Sequence, residues 1–160
     1  MRTPLIVVLA IAVPGAGPAQ TPLKVGFCAR TMTTAGMAPV AIAIRMGWYR
    51  SSGIEVRPVL AAGSVDCVKL VATGELPYSV PSVEPLVTAR TQGVRAKIFY
   101  TAYQGYIYGI AVPREGPIHS VKELAGRKIG VTSMASAGVH VARALLATNG
   151  IDPDRGARIV

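Results

Sequence analysis

Short apolar runs alternate with segments whose apolar residues recur every three or four positions through the first hundred residues. The short runs predict β-strands, and the periodic segments predict amphipathic helices. Strands are predicted at 23–28, 54–60, 78–80 and 94–100, and helices begin near Pro39, Ser64 and Ser82. Such alternation with short connections predicts an α/β fold in which helices cover both faces of a parallel sheet.

The later part of the chain continues the same alternation after an apolar, aromatic-rich stretch at 103–112, which predicts a long strand or a crossover. Ser120 and Glu123 have the spacing of a capping box, which predicts a helical turn. A strand at 128–132 and a helix ending at Asn149 follow, and 157–160 has the pattern of a strand that has just begun. Because an α/β domain should not stop there, we expect this chain to be a fragment.

The first nineteen residues have the three-part pattern of a secretory signal. Arg2 gives a positive start, residues 5–13 are apolar, and small residues around Gly17 and Ala19 suit a signal peptidase. Nine apolar residues are too few for a membrane span, which needs about 20. We therefore expect export to the periplasm or another extracytoplasmic compartment, with cleavage after Ala19.

Composition and charge narrow the classes of function. The chain is 51% hydrophobic and 16% charged, which is typical of a folded core, and its net charge is +9. Its basic residues are dispersed, and export also argues against a nucleic-acid partner. A general basic surface and attraction of a small anionic ligand both remain open.

Two cysteines, Cys28 and Cys67, are the only thiols in the sequence. An exported protein can keep a disulfide, but two buried thiols that act as small apolar groups fit the sequence equally well. Both alternatives are open at this point.

Catalytic and metal-binding patterns are missing from the sequence. It has no nucleophile elbow, no cluster of His, Cys and acidic residues with metal-ligand spacing, and no phosphate-binding loop of the Walker type. The prediction is therefore a protein without catalytic residues, metal or cofactor.

Three stretches resemble one family, the solute-binding proteins of ABC importers for nitrate, sulfonates and taurine. The first stretch runs from Met37-Ala38-Pro39 to Val56, and the second from Gly74-Glu75-Leu76 to Gly93. The third runs from Ile118 to Val139, includes Val121-Lys122-Glu123-Leu124-Ala125-Gly126, and is the most specific of the three. Pro77 departs from the family pattern, where Asp is frequent. Since proline cannot donate to a sheet, Pro77 should weaken the third strand locally.

The resemblance implies a type II periplasmic-binding-protein fold with two α/β lobes and a ligand cleft between them. The first lobe would span 23–110 and the second would begin at 111 and be incomplete at 160. The implied function is capture of a small, anionic organic solute and its delivery to a membrane permease. A periplasmic sensing domain is the alternative, and an enzyme similar to pyrimidine synthases is the less favoured one, because those enzymes carry a cysteine-rich cluster and no export signal.

Ligands of open α/β sheets bind beyond the carboxyl ends of the strands, and this rule selects the candidate site residues. The predicted ligand-binding residues are Thr31, Thr34, Met37, Ser82, Val83, Gln104, Ser133, Ser136, Ala137 and Gly138. The turn at 133–138 is the sharpest hypothesis, because a helix N-terminus with small residues lets an anion approach free backbone N–H groups. The alternative for Ser136, and equally for Ser82, is a serine that only caps its own helix.

Overall fold

A computed structural model describes residues 20–32, 35–105 and 107–160. The predicted export signal at 1–19 and the candidate residue Thr34 lie outside these ranges. No helix in the described ranges is long and apolar enough to cross a membrane.

The first sheet has three parallel strands in the order β2, β1, β3, which confirms the parallel α/β prediction. Strand β1 (Thr21–Phe27) pairs along its length with β2 (Ile54–Leu60), and its last three residues pair with β3 (Tyr78–Val80). The carboxyl ends of β1 and β3 therefore lie side by side, with Phe27 opposite Val80. Phe27 is also among the most buried side chains of the described chain.

Four helices accompany this sheet: α1 (Ala38–Arg45), α2 (Trp48–Ser51), α3 (Ser64–Ala72) and α4 (Val83–Thr91). A left-handed glycine, Gly47 with φ of 73°, separates α1 from α2, since few other residues adopt that conformation without strain. Serine is a favoured N-cap residue, but Gly63 and not Ser64 occupies the N-cap position of α3. Ser64 is already helical, and its hydroxyl accepts a hydrogen bond from Ser82 N–H instead.

Among the described residues, the second sheet contains only two parallel strands, β4 (Lys128–Ile129) and β5 (Arg158–Ile159). Helix α5 (Ala137–Thr148) packs beside them. Strand β4 is shorter than predicted because only the two residues of β5 pair with it. The core of this region is apolar and well buried, and it consists of Leu124, Ile129, Ala142, Leu146 and Ala157.

The predicted capping box is confirmed at a 3₁₀ turn over Val121–Leu124. The Glu123 carboxylate accepts hydrogen bonds from the backbone N–H groups of His119, at 2.6 Å, and Ser120, at 2.8 Å. These two donors hold the pKa of Glu123 below its ordinary value.

The predicted strand at 94–100 is wrong, and the described residues of 103–112 form no strand either. Strand β3 pairs with β1 alone within the described ranges, so the 94–100 segment does not pair with the free edge of β3. Ile98, Phe99 and Tyr100 are exposed, the last two by more than three quarters. The apolar side chains of this segment are therefore exposed to solvent, whereas an apolar run in a folded protein is normally buried.

Candidate functional site

A cavity of about 590 Å³ lies beside the carboxyl ends of β1 and β3. One wall is formed by residues 77–84, which include β3 and the start of α4, and the facing wall by residues 96–103. Its position is the one where open α/β sheets bind ligands, and its volume lies in the range of small-molecule sites. A second cavity, of about 170 Å³, is lined almost wholly by apolar side chains of β1, β2 and the helices beside them and offers few polar groups for recognition.

A disulfide joins Cys28, which lines the larger cavity, to Cys67. Cys28 directly follows β1, and Cys67 lies on α3 with its side chain fully buried; their Cα atoms are 5.7 Å apart. The Cys28 Sγ atom also lies 3.0 Å from the carbonyl oxygen of Val80. The disulfide, one of the two alternatives that the sequence left open, thus holds the end of β1 against α3 and β3.

A chain of polar contacts runs along the cavity wall from α3 to the stretch after 105. The Ser82 N–H donates to Ser64 Oγ at 3.0 Å. The Ser82 hydroxyl lies 2.5 Å from the Tyr108 hydroxyl, and either oxygen can be the donor. All three residues line the cavity. Ser82 occupies the N-cap position of α4, but its side chain makes no capping hydrogen bond.

Glu84, in the first turn of α4, lines the same cavity. Its Oε2 atom is buried, and no described residue donates a hydrogen bond to it. Glu84 is not among the residues predicted from the sequence. Its position on the same carboxyl edge as Ser82 and Val83 is the only hint that the sequence offers, and an acidic residue in a first helical turn is ordinary.

Aromatic side chains contribute to both walls of the cavity. They are Tyr78, Phe99, Tyr100, Tyr103 and Tyr108. The rings of Tyr78 and Phe99, one from each wall, meet edge to face, with centroids 5.7 Å apart and an angle of 71° between the planes. The Tyr103 hydroxyl donates to the Gly36 carbonyl at 3.0 Å, in the 3₁₀ turn before α1. These two contacts join the 96–103 segment to β3 and to the turn before α1.

The turn before α5 lies elsewhere and is satisfied by the protein itself. Ser136 Oγ accepts from Gly138 N–H at 3.1 Å, which is the N-cap arrangement. Ser133 Oγ donates to the Ala62 carbonyl at 2.7 Å, and Val65 N–H donates to the Ala135 carbonyl at 3.1 Å. The turn is therefore packed against the N-terminus of α3.

The predicted site residues fall into three groups. Met37, Ser82 and Val83 line the cavity together. Thr31 and Gln104 are exposed and lie outside its lining, although Tyr103 and Gly105, the neighbours of Gln104, belong to it. The four residues at the start of α5 line neither of the two cavities, and they are Ser133, Ser136, Ala137 and Gly138. Ligand contact stays a prediction for every position in this set.

No group of three or more His, Cys, Asp or Glu side chains in the described part of the chain could hold a metal ion. Within the larger cavity the charged side chains are Glu84 and Lys97, one of each sign. The two are not joined by an ion pair, since the ion pairs of the described residues are Arg57 with Glu55 and Arg143 with Asp154. The arrangement suits non-covalent binding of a small molecule.

The sequence profile of the family described as NMT1/THI5 like matches residues 34–158, which is most of the chain. The chain belongs to this family. The match includes β2, β3 and every residue of the cavity wall at 77–84. No curated protein matches the sequence.

Two solved structures are similar to this member of the family in fold. One is the alkanesulfonate-binding protein SsuA from Xanthomonas axonopodis pv. citri bound to MOPS, with 18% identity and a TM-score of 0.57 over 91% of this chain and 48% of that one. The other is a protein from Bordetella bronchiseptica RB50, with 20% identity and a TM-score of 0.58 over 87% of this chain and 43% of that one. The chain therefore has the fold of part of these proteins and spans about half the length of each.

Proposed function

We propose that this protein is an extracytoplasmic solute-binding protein of an ABC importer. It captures a small organic solute in the cavity beside β1 and β3 and delivers it to a membrane permease, and it catalyses no reaction itself. Membership of the NMT1/THI5-like family and the fold shared with an alkanesulfonate-binding protein support this proposal.

The observation that carries the proposal is the cavity itself. It lies at the carboxyl edge of a parallel sheet, and its volume of about 590 Å³ suits a small organic molecule. Its walls combine aromatic side chains with a few polar groups, namely Ser64, Ser82, Glu84 and Lys97. Such a mixture gives apolar contact area and a small number of directional hydrogen bonds, which is what reversible binding needs.

A sulfonate or a related small anion, such as nitrate, is the proposed ligand class. The net charge of +9 favours the approach of an anion, and Lys97 provides one cation at the cavity wall. Met37, Ser82 and Val83 are the proposed contacts within the cavity. Thr31 and Gln104 are proposed contacts from the flanking loops. Ser133, Ser136, Ala137 and Gly138 at the start of α5 stay proposed contacts, although they line neither of the two cavities.

The proposed location is the periplasm or its equivalent, reached by the N-terminal signal at 1–19. The disulfide between Cys28 and Cys67 supports this location, because disulfides persist mainly in oxidising compartments. N-terminal sequencing of the exported protein tests the signal, with Gln20 expected as the first residue.

Thermal shift of the full-length protein tests the binding function. A panel of alkanesulfonates, taurine, nitrate, carboxylates and pyrimidines is added at increasing concentration. A true ligand raises the melting temperature in proportion to the logarithm of its excess over the dissociation constant. If every compound leaves the melting temperature unchanged at millimolar concentration, solute binding of these classes is contradicted.

A further inference from the structure

We propose that Cys28 is a site of thiol–disulfide exchange in the larger cavity: a small thiol enters the cavity and attacks Cys28 Sγ, and a bound solute blocks this attack. The starting point is the unequal exposure of the two bonded cysteines. Cys28 is partly exposed and lines the larger cavity, whereas Cys67 is fully buried and lines neither of the two cavities. The block by a solute rests on the proposed function, while the attack at Cys28 does not.

Thiol–disulfide exchange begins when a thiolate attacks one sulfur of a disulfide, and access helps to decide which sulfur reacts. At Cys28 the attacking thiolate forms a new S–S bond with Cys28 Sγ while the bond to Cys67 Sγ breaks. The electron pair leaves on Cys67 Sγ, which takes up the proton that the attacking thiol released. The product is a mixed disulfide at Cys28 and a thiol at Cys67, and the small thiol is the only co-reactant.

The surroundings of both sulfurs suit this product. Cys67 lies on α3 without exposed surface, where a neutral thiol acts as a small apolar group. The Cys67 carbonyl accepts a hydrogen bond from the Ser79 hydroxyl at 3.3 Å, which ties α3 to β3 without the sulfur. Cys28 Sγ lies 3.0 Å from the Val80 carbonyl oxygen, so a second thiol that frees Cys28 leaves an S–H donor beside an acceptor. The exchange is therefore compatible with the folded chain.

An adduct at Cys28 would compete with a solute for space. Cys28 directly follows β1, and the paired end of β3 carries Val80. Both residues line the cavity together with Ser82, at the edge of the sheet where α/β folds bind ligands. The cavity volume of about 590 Å³ admits one small molecule of this kind. A thiol adduct and a bound solute therefore exclude one another.

Mass spectrometry of the full-length wild-type protein tests the site of attack. The oxidised protein is exposed briefly to glutathione, quenched with acid, denatured, alkylated with N-ethylmaleimide and digested. Glutathione should occur on Cys28 at least about tenfold more often than on Cys67, because access selects the sulfur. Equal amounts on both would show that exchange requires unfolding, and that result, a preference for Cys67, or adducts in urea alone each overturn the inference.

Two single-cysteine variants give a matched comparison, because both lack the disulfide. Cys67→Ser leaves a thiol at Cys28, and Cys28→Ser leaves one at Cys67. Glutathione disulfide should modify the folded Cys67→Ser variant at least about tenfold faster than the folded Cys28→Ser variant. Equal rates in two folded variants contradict the inference. Circular dichroism shows whether both variants fold, and if one does not, the adduct map of the wild-type protein decides.

The compound that most raises the melting temperature in the thermal-shift panel tests the competition. At about ten times its dissociation constant it should slow formation of the Cys28 adduct about tenfold, because only the unliganded protein reacts. A panel compound that leaves the melting temperature unchanged is the control at equal concentration. An unchanged rate with a bound compound contradicts the competition. If no compound binds, the proposed function fails, and the adduct map still decides whether Cys28 is the site of attack.

Discussion

The starts of α4 and α5 look alike in the sequence, and the structure uses them differently. Each helix follows a turn after a strand, and each has a serine at the N-cap position, Ser82 and Ser136. Ser136 caps its own helix through Gly138 N–H. Ser82 makes no cap and directs its hydroxyl to Tyr108 across the cavity wall.

This difference shows that two similar helix starts place their polar groups in different surroundings. At α5 the Ser133, Ala135 and Ser136 groups have partners in or beside the turn, and none of these residues lines the larger cavity. At α4 Ser82, Val83 and Glu84 line that cavity, and the Ser82 hydroxyl contacts Tyr108 at its wall. We therefore propose the α4 start as the binding site, and substitutions in the two regions can test one against the other.

Loss of the disulfide between Cys28 and Cys67 should reduce the stability of the protein more than any other change considered below. The loss should concern the α4 side of the comparison. The bridge closes a loop between residues 39 positions apart, for which chain-entropy estimates give about 3–4 kcal/mol of stabilisation. Urea denaturation of the full-length protein with and without reductant measures this loss. The Cys28→Ser/Cys67→Ser double variant is the control, because its stability should not respond to reductant. A wild-type protein that is equally indifferent to reductant would show that the thiols do not pair.

The Gly63→Ala substitution should separate the α5 turn from α3. A Cβ atom at Gly63 would overlap the Ala135 carbonyl, which accepts the hydrogen bond from Val65 N–H. Overpacking of this kind costs about 1–3 kcal/mol. Gly130→Ala is the matched control, since a Cβ atom at Gly130 would have no neighbour within 4 Å among the described residues. Equal denaturation midpoints for the two variants would contradict the packing of the α5 turn against α3.

Removal of the two serine hydroxyls should affect stability for different reasons. Ser136→Ala removes a helix cap and should cost about 1 kcal/mol. Ser82→Ala removes no cap, and its cost should equal that of one hydrogen bond with Tyr108, about 0.5–1.5 kcal/mol. The double variant Ser82→Ala/Tyr108→Phe separates the two cases, because its loss of stability should be smaller than the sum of the two single losses by about the worth of the hydrogen bond that the two hydroxyls share. Full additivity of the two changes would show that the hydroxyls do not interact.

The smallest effect is expected at Glu123, in the 3₁₀ turn before β4. Its pKa is lowered from the ordinary value of 4.5 by hydrogen bonds from His119 and Ser120 N–H. Because the folded-state pKa is the lower one, the stabilisation is fully present above about pH 4.5 and is lost as the pH falls toward the folded-state value. Glu123→Gln should therefore be less stable than wild type at neutral pH and approach it under acid conditions. Glu115→Gln is the control, and an identical pH profile for both variants would contradict the capping box.

Much of the fold could be predicted because the local signals agree with the tertiary structure. The apolar run at 54–60 coincides with β2, and the capping box at Ser120 and Glu123 forms as expected. In each case a local pattern, apolar residues that recur along a short run or satisfaction of helix-end donors, agrees with the structure.

The segment at 94–100 shows what local signals leave out. Its apolar pattern predicts a strand, but the segment pairs with no strand of the described chain, although β3 has a free edge. Phe99 is 79% exposed. Whether a segment reaches a free edge depends on the arrangement of distant parts of the chain, which periodicity does not contain.

The site could be predicted in part, and for a similar reason. The rule that ligands bind beyond the carboxyl ends of the strands selects Met37, Ser82 and Val83, and the structure brings these three residues together in the cavity lining. It also selects the start of α5, which packs against α3 instead. Glu84 is missed because an acidic residue in a first helical turn is ordinary by sequence, and only the lack of a partner among the described residues makes it notable.

The central claim is that the ligand binds in the cavity at the start of α4 and not at the start of α5. The most direct test is the dissociation constant of the compound that most raises the melting temperature in the thermal-shift panel, measured by calorimetry on the full-length wild-type protein, Ser82→Ala and Ser136→Ala. We expect Ser82→Ala to weaken binding by about 5- to 10-fold, the equivalent of one hydrogen bond, and Ser136→Ala to change it by less than about 2-fold. Weakened binding in Ser136→Ala together with unchanged binding in Ser82→Ala would contradict the claim and place the ligand at α5.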